Sequence, residues 1–125
     1  MSDIPIFLSI EESHAVYRPV GEYSFDATVE MIDAAIAYCR ASSIRALLVD
    51  ITQVTGFPPP STAERFHFVT QWSATAGGRL TIAMIAPPEM IDPEKIGVTM
   101  AKNRGLKSEV FTNEQDAVRW LGLTS

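Results

Sequence analysis

The sequence predicts an α/β fold, in which one mixed, mostly parallel five-stranded sheet packs against four helices. Strand-like and helix-like segments alternate after an opening hairpin, in the order β-β-α-β-α-β-α-β-α. Residues 46–49 and 80–86 are largely continuous apolar runs, which are typical of strands buried on both faces of a sheet. The length of 125 residues suits one hydrophobic core, so we expect residues 1–125 to form a single domain.

The first two strands are predicted at residues 4–10 and 14–20. The polar residues 11–13 between them have the length and composition of a hairpin turn. Pro5 and Pro19 lack an N–H group, so they fit the ends or the edge of a sheet and not the middle of a ladder.

The first helix is predicted at residues 25–41, after Gly21 ends the second strand. Ser24 or Asp26 can cap its N-terminus, where negative charge suits the positive end of the helix dipole. Apolar side chains recur at spacings of three and four, as on the buried face of a helix. They are Phe25, Val29, Ile32, Ile36 and Cys39.

A buried strand and a stiff loop are predicted at the centre of the chain. The strand covers residues 44–51 and carries Asp50 near its carboxyl end. In the following loop, Gly56 and the three prolines at 58–60 stop regular structure, and consecutive prolines hold the backbone extended.

The second helix is predicted to begin at Ser61 and to run to about Ser73, with two glycines beyond it. Ser61 and Glu64 have the spacing of a capping box, in which each side chain binds the backbone N–H of the other residue. The spacing places Phe66, Val69 and Ser73 on one face, with Phe68 and Trp72 beside it.

The last third of the chain repeats the strand–helix pattern. A strand at 80–86 ends at two prolines, and Asp92 and Pro93 predict the cap and first residue of the third helix. A short strand at 107–111 follows, and a second capping box at 112–115 opens the last helix. Its predicted apolar side consists of Ala117, Val118, Trp120 and Leu121.

The composition argues against several classes of function. The net charge of −5 disfavours binding to nucleic acid or to an anionic membrane, which require a basic surface. The one cysteine, Cys39, cannot form an internal disulfide, which favours a reducing compartment. No apolar run reaches the roughly 18 residues of a membrane span, and the N-terminus lacks the features of a signal peptide. We therefore expect a cytoplasmic protein.

Catalytic and metal motifs are not evident in the sequence. His14 and His67 have no carboxylate or cysteine at a ligand spacing, so we expect no metal site. Serine, histidine and aspartate all occur, but without the motif of a nucleophile elbow. We expect no cofactor and no enzymatic activity.

Three local features resemble the STAS domain family, which is named for sulfate transporters and anti-sigma-factor antagonists. A buried strand ends in an aspartate within Leu-Leu-Val-Asp-Ile-Thr at 47–52, and the hydroxyl residues Ser61 and Thr62 open the next helix. The tail Glu-Val-Phe-Thr-Asn-Glu-Gln-Asp-Ala-Val-Arg-Trp-Leu at 109–121 is similar to the last strand and helix of these domains. The element order also matches, so the resemblance extends over nearly the whole chain.

The resemblance implies a non-enzymatic regulatory module that acts by protein–protein contact. In the antagonist branch, a partner kinase phosphorylates a serine at this helix start, and the phosphate abolishes partner binding. Ser61 or Thr62 would occupy that place, while Pro60 and Ala63 stand where the family has Asp and Gly. The other interpretation of Ser61 is an ordinary helix cap with no regulatory role.

The residues around this helix start are the candidate partner or ligand surface. Asp50 and Thr52 lie beyond the carboxyl end of a strand, where open α/β sheets bind ligands, or they simply terminate the strand. Phe57 lies in the proline-stiffened loop, either packed at the edge of the core or able to bind a partner with little loss of entropy.

Aromatic residues are concentrated in the second helix. Phe66, Phe68 and Trp72 are too widely spread for one narrow inward stripe. They form either a wide core face or an apolar groove for a protein partner, a second copy of the chain or a lipid-like ligand. The sequence thus favours an interaction module with a protein partner or as a homodimer, and the alternative is a binder of a small apolar ligand beside this helix.

Overall fold

The computed structural model describes residues 4–12 and 14–122, so Ser13 of the predicted hairpin turn and the two chain ends lie outside the described residues. The strands are β1 (Leu8–Ile10), β2 (Ala15–Tyr17), β3 (Gly21–Glu22), β4 (Ala46–Asp50), β5 (Val54–Thr55), β6 (Thr81–Ile85) and β7 (Lys107–Phe111). The helices are α1 (Phe25–Ala41), α2 (Thr62–Ala76), α3 (Ile96–Asn103) and α4 (Glu114–Leu121), with a short 3-10 turn at Pro88–Met90.

The main sheet has five strands in the order β1-β2-β4-β6-β7. β1 is antiparallel to β2, and the other neighbouring pairs are parallel. This arrangement confirms the predicted mixed, mostly parallel sheet. Asp50, Ile85 and Phe111 are in register, so the carboxyl ends of β4, β6 and β7 lie at one edge of the sheet.

Helices cover both faces of the main sheet. Leu47 and Val49 of β4 face a large core formed with α1, α2 and α3, while Leu48 faces a smaller core with Ala117 of α4. Successive side chains of a strand point to opposite faces, so a central strand must be apolar throughout. The continuous apolar run in β4 is thereby explained.

The opening hairpin is shorter than predicted. Phe7 has a φ of 73°, which is outside the range of an extended strand, so β1 begins only at Leu8. β2 ends before Pro19, which supplies no N–H group for a ladder. Pro5 and Pro19 therefore both lie outside the strands.

A second, two-stranded sheet was not predicted from the sequence. Gly21 does not end regular structure, because β3 pairs in parallel with β5 inside the loop predicted to be irregular. The N–H of Tyr23 also donates to the carbonyl of Thr55 at 2.8 Å. The pairing joins segments more than thirty residues apart, so neither segment alone carries a signal for it.

Gly56 is required where these two segments meet. Its φ is +117°, and a Cβ atom at this position would lie 2.3 Å from the carbonyl oxygen of Tyr23. A contact below 3.0 Å to backbone cannot be relieved by a side-chain rotation. Glycine therefore permits both the backbone conformation and the close approach.

Two helices begin at different residues from those predicted. α3 starts at Ile96, after Lys95 in a left-handed conformation, so Pro93 is not its first residue. Asp92 still binds the helix start, because its carboxylate accepts the N–H of Ile96 at 3.0 Å. α4 is capped by Asn113 and not by the preceding threonine, since the Asn113 side chain accepts the N–H of Asp116 at 2.8 Å.

The predictions for α2 and α4 also differ from the structure in detail. α2 continues three residues beyond Ser73 to Ala76, where Gly77 provides a left-handed C-cap. On α4, Ala117 is buried as predicted, whereas Trp120 is 41% exposed and its ring lies 5.9 Å from that of Phe111.

Candidate functional site

Asp50 and Thr52 form a hydrogen-bonded corner at the carboxyl end of β4. One carboxylate oxygen of Asp50 accepts the N–H of Thr52 at 2.9 Å and its hydroxyl at 2.6 Å. The other oxygen accepts a hydrogen bond from the Arg18 guanidinium at 2.7 Å. Both carboxylate oxygens of Asp50 are therefore hydrogen-bonded where the chain leaves the sheet.

Arg18 connects this corner to α4. Its guanidinium pairs with Asp50 and with Glu114, the first residue of α4. Burial lowers the pKa of Arg18, but its hydrogen bonds and charge interactions with Glu114 and Asp50 outweigh that effect and raise it. Sequence reasoning missed Arg18, because its partners are 32 and 96 positions away and no local spacing marks them.

Ser61 is an exposed helix cap. Its hydroxyl accepts the N–H of Glu64 at 3.1 Å, and the Glu64 carboxylate accepts the N–H of Ser61 at 2.8 Å. The predicted capping box is confirmed. Thr62, the first residue of α2, is also exposed, so both hydroxyl residues lie at the protein surface.

Three of the predicted surface aromatics lie in one cluster. The ring centroids of Phe68 and Trp72 are 4.5 Å apart, and both Phe68 and Phe57 contact Phe25 of α1, at 6.1 and 5.6 Å. The indole N–H of Trp72 donates to the carbonyl of Val29 at 3.1 Å. The Trp72 ring is thus held in place at the border of the core, and Phe57 joins the cluster from the loop that precedes α2.

Phe66 lies away from this cluster. It is 49% exposed, and the guanidinium carbon of Arg104 lies 4.6 Å from the centre of its ring. A place for Phe66 on a wide core face, one of the two alternatives, is therefore wrong, because Phe66 and Phe68 are two positions apart and such residues point in nearly opposite directions on a helix. The inward face is instead formed by Val69, Trp72 and Ala76.

An apolar cavity of about 120 Å³ lies beside α2. The aromatic cluster forms one side, β6 and β7 form the floor through residues such as Met84 and Val110, and the segment from Met90 to Val98 forms the other side. Predicted residues Phe57, Phe68 and Trp72 line it, whereas Phe66 does not. The geometry therefore provides a pocket at the position suggested by the excess of aromatic residues.

Four charged residues also border the cavity. Lys95 pairs with Glu109 at 3.1 Å, and Asp92 binds the start of α3. The Arg65 guanidinium donates a hydrogen bond to the carbonyl of Met90 at 3.4 Å, and this is its only side-chain hydrogen bond within residues 4–12 and 14–122. The sequence contained a signal for Arg65, because Arg65, Phe68 and Trp72 have the i, i+3, i+7 spacing of one helix face.

The thiol of Cys39 is buried and forms no disulfide. Burial raises the pKa of the Cys39 thiol to about 11, so this cysteine remains protonated at neutral pH. Within 4–12 and 14–122, no three side chains of His, Cys, Asp or Glu lie together as a metal site would require. In the same ranges, no helix has the length and apolar character needed to cross a membrane.

A known structure shares this architecture, although sequence comparison gives no relative. No protein-family model matches the chain, and no curated protein sequence matches it significantly. An anti-sigma factor antagonist from Mycobacterium paratuberculosis superposes with a TM-score of 0.57 at 16% identity, over 92% of this chain and 91% of that one. The unphosphorylated form of the anti-sigma factor antagonist SpoIIAA gives a TM-score of 0.46 at 18% identity, over 94% and 97% of the two chains. The predicted STAS-like fold is therefore confirmed, and this chain has the fold of an anti-sigma factor antagonist.

Proposed function

We propose that this protein is a regulatory interaction module that binds a protein partner without catalysis, through the surface formed by residues 52–72. The observation that carries the proposal is the exposed start of α2 on a fold shared with an anti-sigma factor antagonist. In this chain, the hydroxyls of Ser61 and Thr62 lie beside a loop that β5 and three prolines hold in place. A pre-ordered surface loses little conformational entropy when it binds.

Phosphorylation of Ser61 or Thr62 would switch this surface. A phosphate adds between about −1.5 and −2 units of charge and would meet the free N–H groups at the start of α2. On Ser61 it would also lie beside the Glu64 carboxylate and compete with it for the capping interaction. Modification would thus change both the charge and the local structure of the proposed docking surface.

Two matched variants separate charge from capping. Ser61→Asp keeps a good N-cap and adds a negative charge, while Ser61→Ala removes the cap and adds no charge. Binding partners are captured from lysate with each variant and identified by mass spectrometry. We expect a specific partner that binds wild type and Ser61→Ala but not Ser61→Asp. A set of bound proteins that is the same for all three forms would contradict a docking surface at α2.

The modification itself is tested separately. The protein is incubated with lysate and ATP, and its phosphopeptides are mapped. Phosphate at residue 61 or 62 supports the switch, and Ser61→Ala and Thr62→Val identify which hydroxyl carries it. If neither residue is ever modified, the switch is excluded while the interaction surface can still be tested with the charge variant.

We also propose a second function, the binding of a small apolar ligand, which the cavity beside α2 supports. Phe68 and Trp72 line it and are held in place by contacts with α1. Native mass spectrometry of the purified protein tests this function. A retained small molecule is the expected result, and a homodimer without added mass would instead favour self-association.

A further inference from the structure

The size of the cavity beside α2 restricts the ligand. Its volume is about 120 Å³. An apolar cavity of about 150 Å³ in another protein binds benzene, so one ring or a short alkyl chain is the largest group expected to fit without rearrangement. A long lipid chain would not fit, and the aromatic wall formed by Phe25, Phe68 and Trp72 suits a flat or flexible apolar group.

The charged residues at the border of the cavity differ in whether another group in the protein pairs with them. The Lys95 ammonium is neutralised by Glu109 at 3.1 Å, and Asp92 accepts the N–H of Ile96 at 3.0 Å. The Arg65 guanidinium, in contrast, has no carboxylate within 4.0 Å in the described part of the chain. Its bond to the carbonyl of Met90 is long, at 3.4 Å. Arg65 therefore offers N–H donors and a positive charge at the border of an apolar space.

Arg65 lies on the same face of α2 as two residues of the aromatic wall. Arg65, Phe68 and Trp72 are successive positions of one face of α2, and all three line the cavity. A ligand lying along this face would place an apolar group against Phe68 and Trp72 and a polar end near Arg65. Guanidinium groups bind carboxylates through two parallel hydrogen bonds, which neutral polar groups cannot reproduce with the same strength.

We propose that the cavity binds a monocarboxylate whose apolar part is about the size of a phenyl ring, and that Arg65 binds its carboxylate. This inference rests on the second proposed function, the binding of a small apolar ligand, and specifies its chemistry. The apolar part can be aromatic or a short aliphatic chain, because both satisfy the size and the lining of the cavity.

Isothermal titration calorimetry with four probes tests the proposal. Benzoate and hexanoate carry the carboxylate, while benzyl alcohol and 1-hexanol present similar apolar groups without charge. We expect at least one acid to bind wild type at least tenfold more tightly than its alcohol. An acid that exceeds its alcohol in this way supports the carboxylate assignment. Tighter binding of benzoate than of hexanoate then identifies an aromatic ligand, and the reverse order identifies an aliphatic one.

Variants at two arginines locate the charge that is responsible. Arg65→Gln is expected to reduce the affinity for the acid to that of the alcohol and to leave the alcohol unchanged. Arg79→Gln is the matched control, because Arg79 is exposed and does not line the cavity, and it should bind the acid like wild type. Circular dichroism of each variant verifies folding, and Arg65→Lys, which keeps the charge, should bind the acid with intermediate affinity.

The outcomes distinguish the proposed role of Arg65 from the proposed binding of a small ligand. Equal binding of acids and alcohols to wild type, or unchanged acid binding to Arg65→Gln, would overturn the role of Arg65 but keep a ligand cavity. Failure of all four probes to bind would overturn the ligand function itself. Loss of acid binding in Arg79→Gln as well would show a general effect of net charge and would also overturn the assignment to Arg65.

Discussion

The Arg18 guanidinium lies 2.7 Å from the carboxylate of Asp50, 32 positions later in the chain, and joins the end of β2 to the corner that follows β4. β2 and β4 are parallel neighbours, so the Arg18–Asp50 ion pair joins their carboxyl ends, where the chain leaves β4 for the loop before α2. Since Arg18 also binds Glu114, the same side chain attaches α4 to this edge.

Removal of the Asp50 side chain should destabilise the protein more than removal of Glu114. Asp50→Ala eliminates the two hydrogen bonds to Thr52 and the pair with Arg18, at a cost of about 2 kcal/mol in the free energy of unfolding. Glu114→Ala breaks only an exposed ion pair and should cost less than about 1 kcal/mol. Urea denaturation measures both values, and equal losses would show that the Asp50 corner adds nothing beyond the ion pair.

The helix cap at Ser61 should contribute measurably to stability. Ser61→Ala removes the acceptor for the N–H of Glu64 and should lower the free energy of unfolding by about 1 kcal/mol, while Ser61→Asp should be close to wild type. Thr62→Ala is the control, because Thr62 follows the cap. An Ala variant at 61 as stable as wild type in urea denaturation would contradict the capping role.

Gly56 should tolerate alanine poorly compared with Gly78. Both residues have a positive φ, but a Cβ at Gly56 would lie 2.3 Å from a backbone oxygen of Tyr23, whereas a Cβ at Gly78 would meet nothing within 4 Å. Gly78→Ala should therefore cost only the conformational strain of about 1 kcal/mol, and Gly56→Ala should cost more. Thermal unfolding compares the two, and a milder effect at position 56 would argue against the close contact.

Ionisation of Cys39 should make stability fall at high pH. Burial raises the pKa of its thiol to about 11 in the folded protein, above the ordinary value of 9.0. The unfolded chain therefore loses this proton first, so the contribution is fully present below pH 9.0 and is lost as the pH rises towards about 11, by about 1.36 kcal/mol per unit of pH.

Cys39→Ala isolates this contribution from that of other groups. The variant should be less stable at neutral pH, because a buried side chain is shortened, but should lose less stability between pH 9.0 and about 11. Urea denaturation at several pH values measures the difference. Parallel pH profiles for the wild type and Cys39→Ala would refute the attribution to Cys39.

The elements of the fold could be predicted because their signals are local. The apolar run in β4, the stripe on α1 and the capping box at Ser61 each depend on residues close together in the chain, and the structure confirms all three. The β3–β5 pair and the Arg18–Asp50 contact could not be predicted, since each depends on partners far apart in sequence.

The candidate site was only partly accessible from the sequence, for a similar reason. The aromatic excess in α2 left a wide core face and an apolar groove as alternatives, because the direction of each ring depends on where the helix begins and what it packs against. Phe68 and Trp72 face that space and Phe66 faces Arg104. The charges at the border of the cavity come from α2, from the segment that precedes α3 and from β7, and their pairing follows only from the assembled structure.

The small β3–β5 sheet joins the segments that lead into α1 and α2. β3 leads into α1 through Tyr23 and Ser24, and β5 leads through the proline loop into α2. The segments before α1 and α2 are therefore linked directly by backbone hydrogen bonds, such as those from the N–H groups of Gly21 and Tyr23 to the carbonyls of Gln53 and Thr55. Deuterium uptake at the amide of Tyr23, which donates to the carbonyl of Thr55, reports how firmly the two helices are held together at this point.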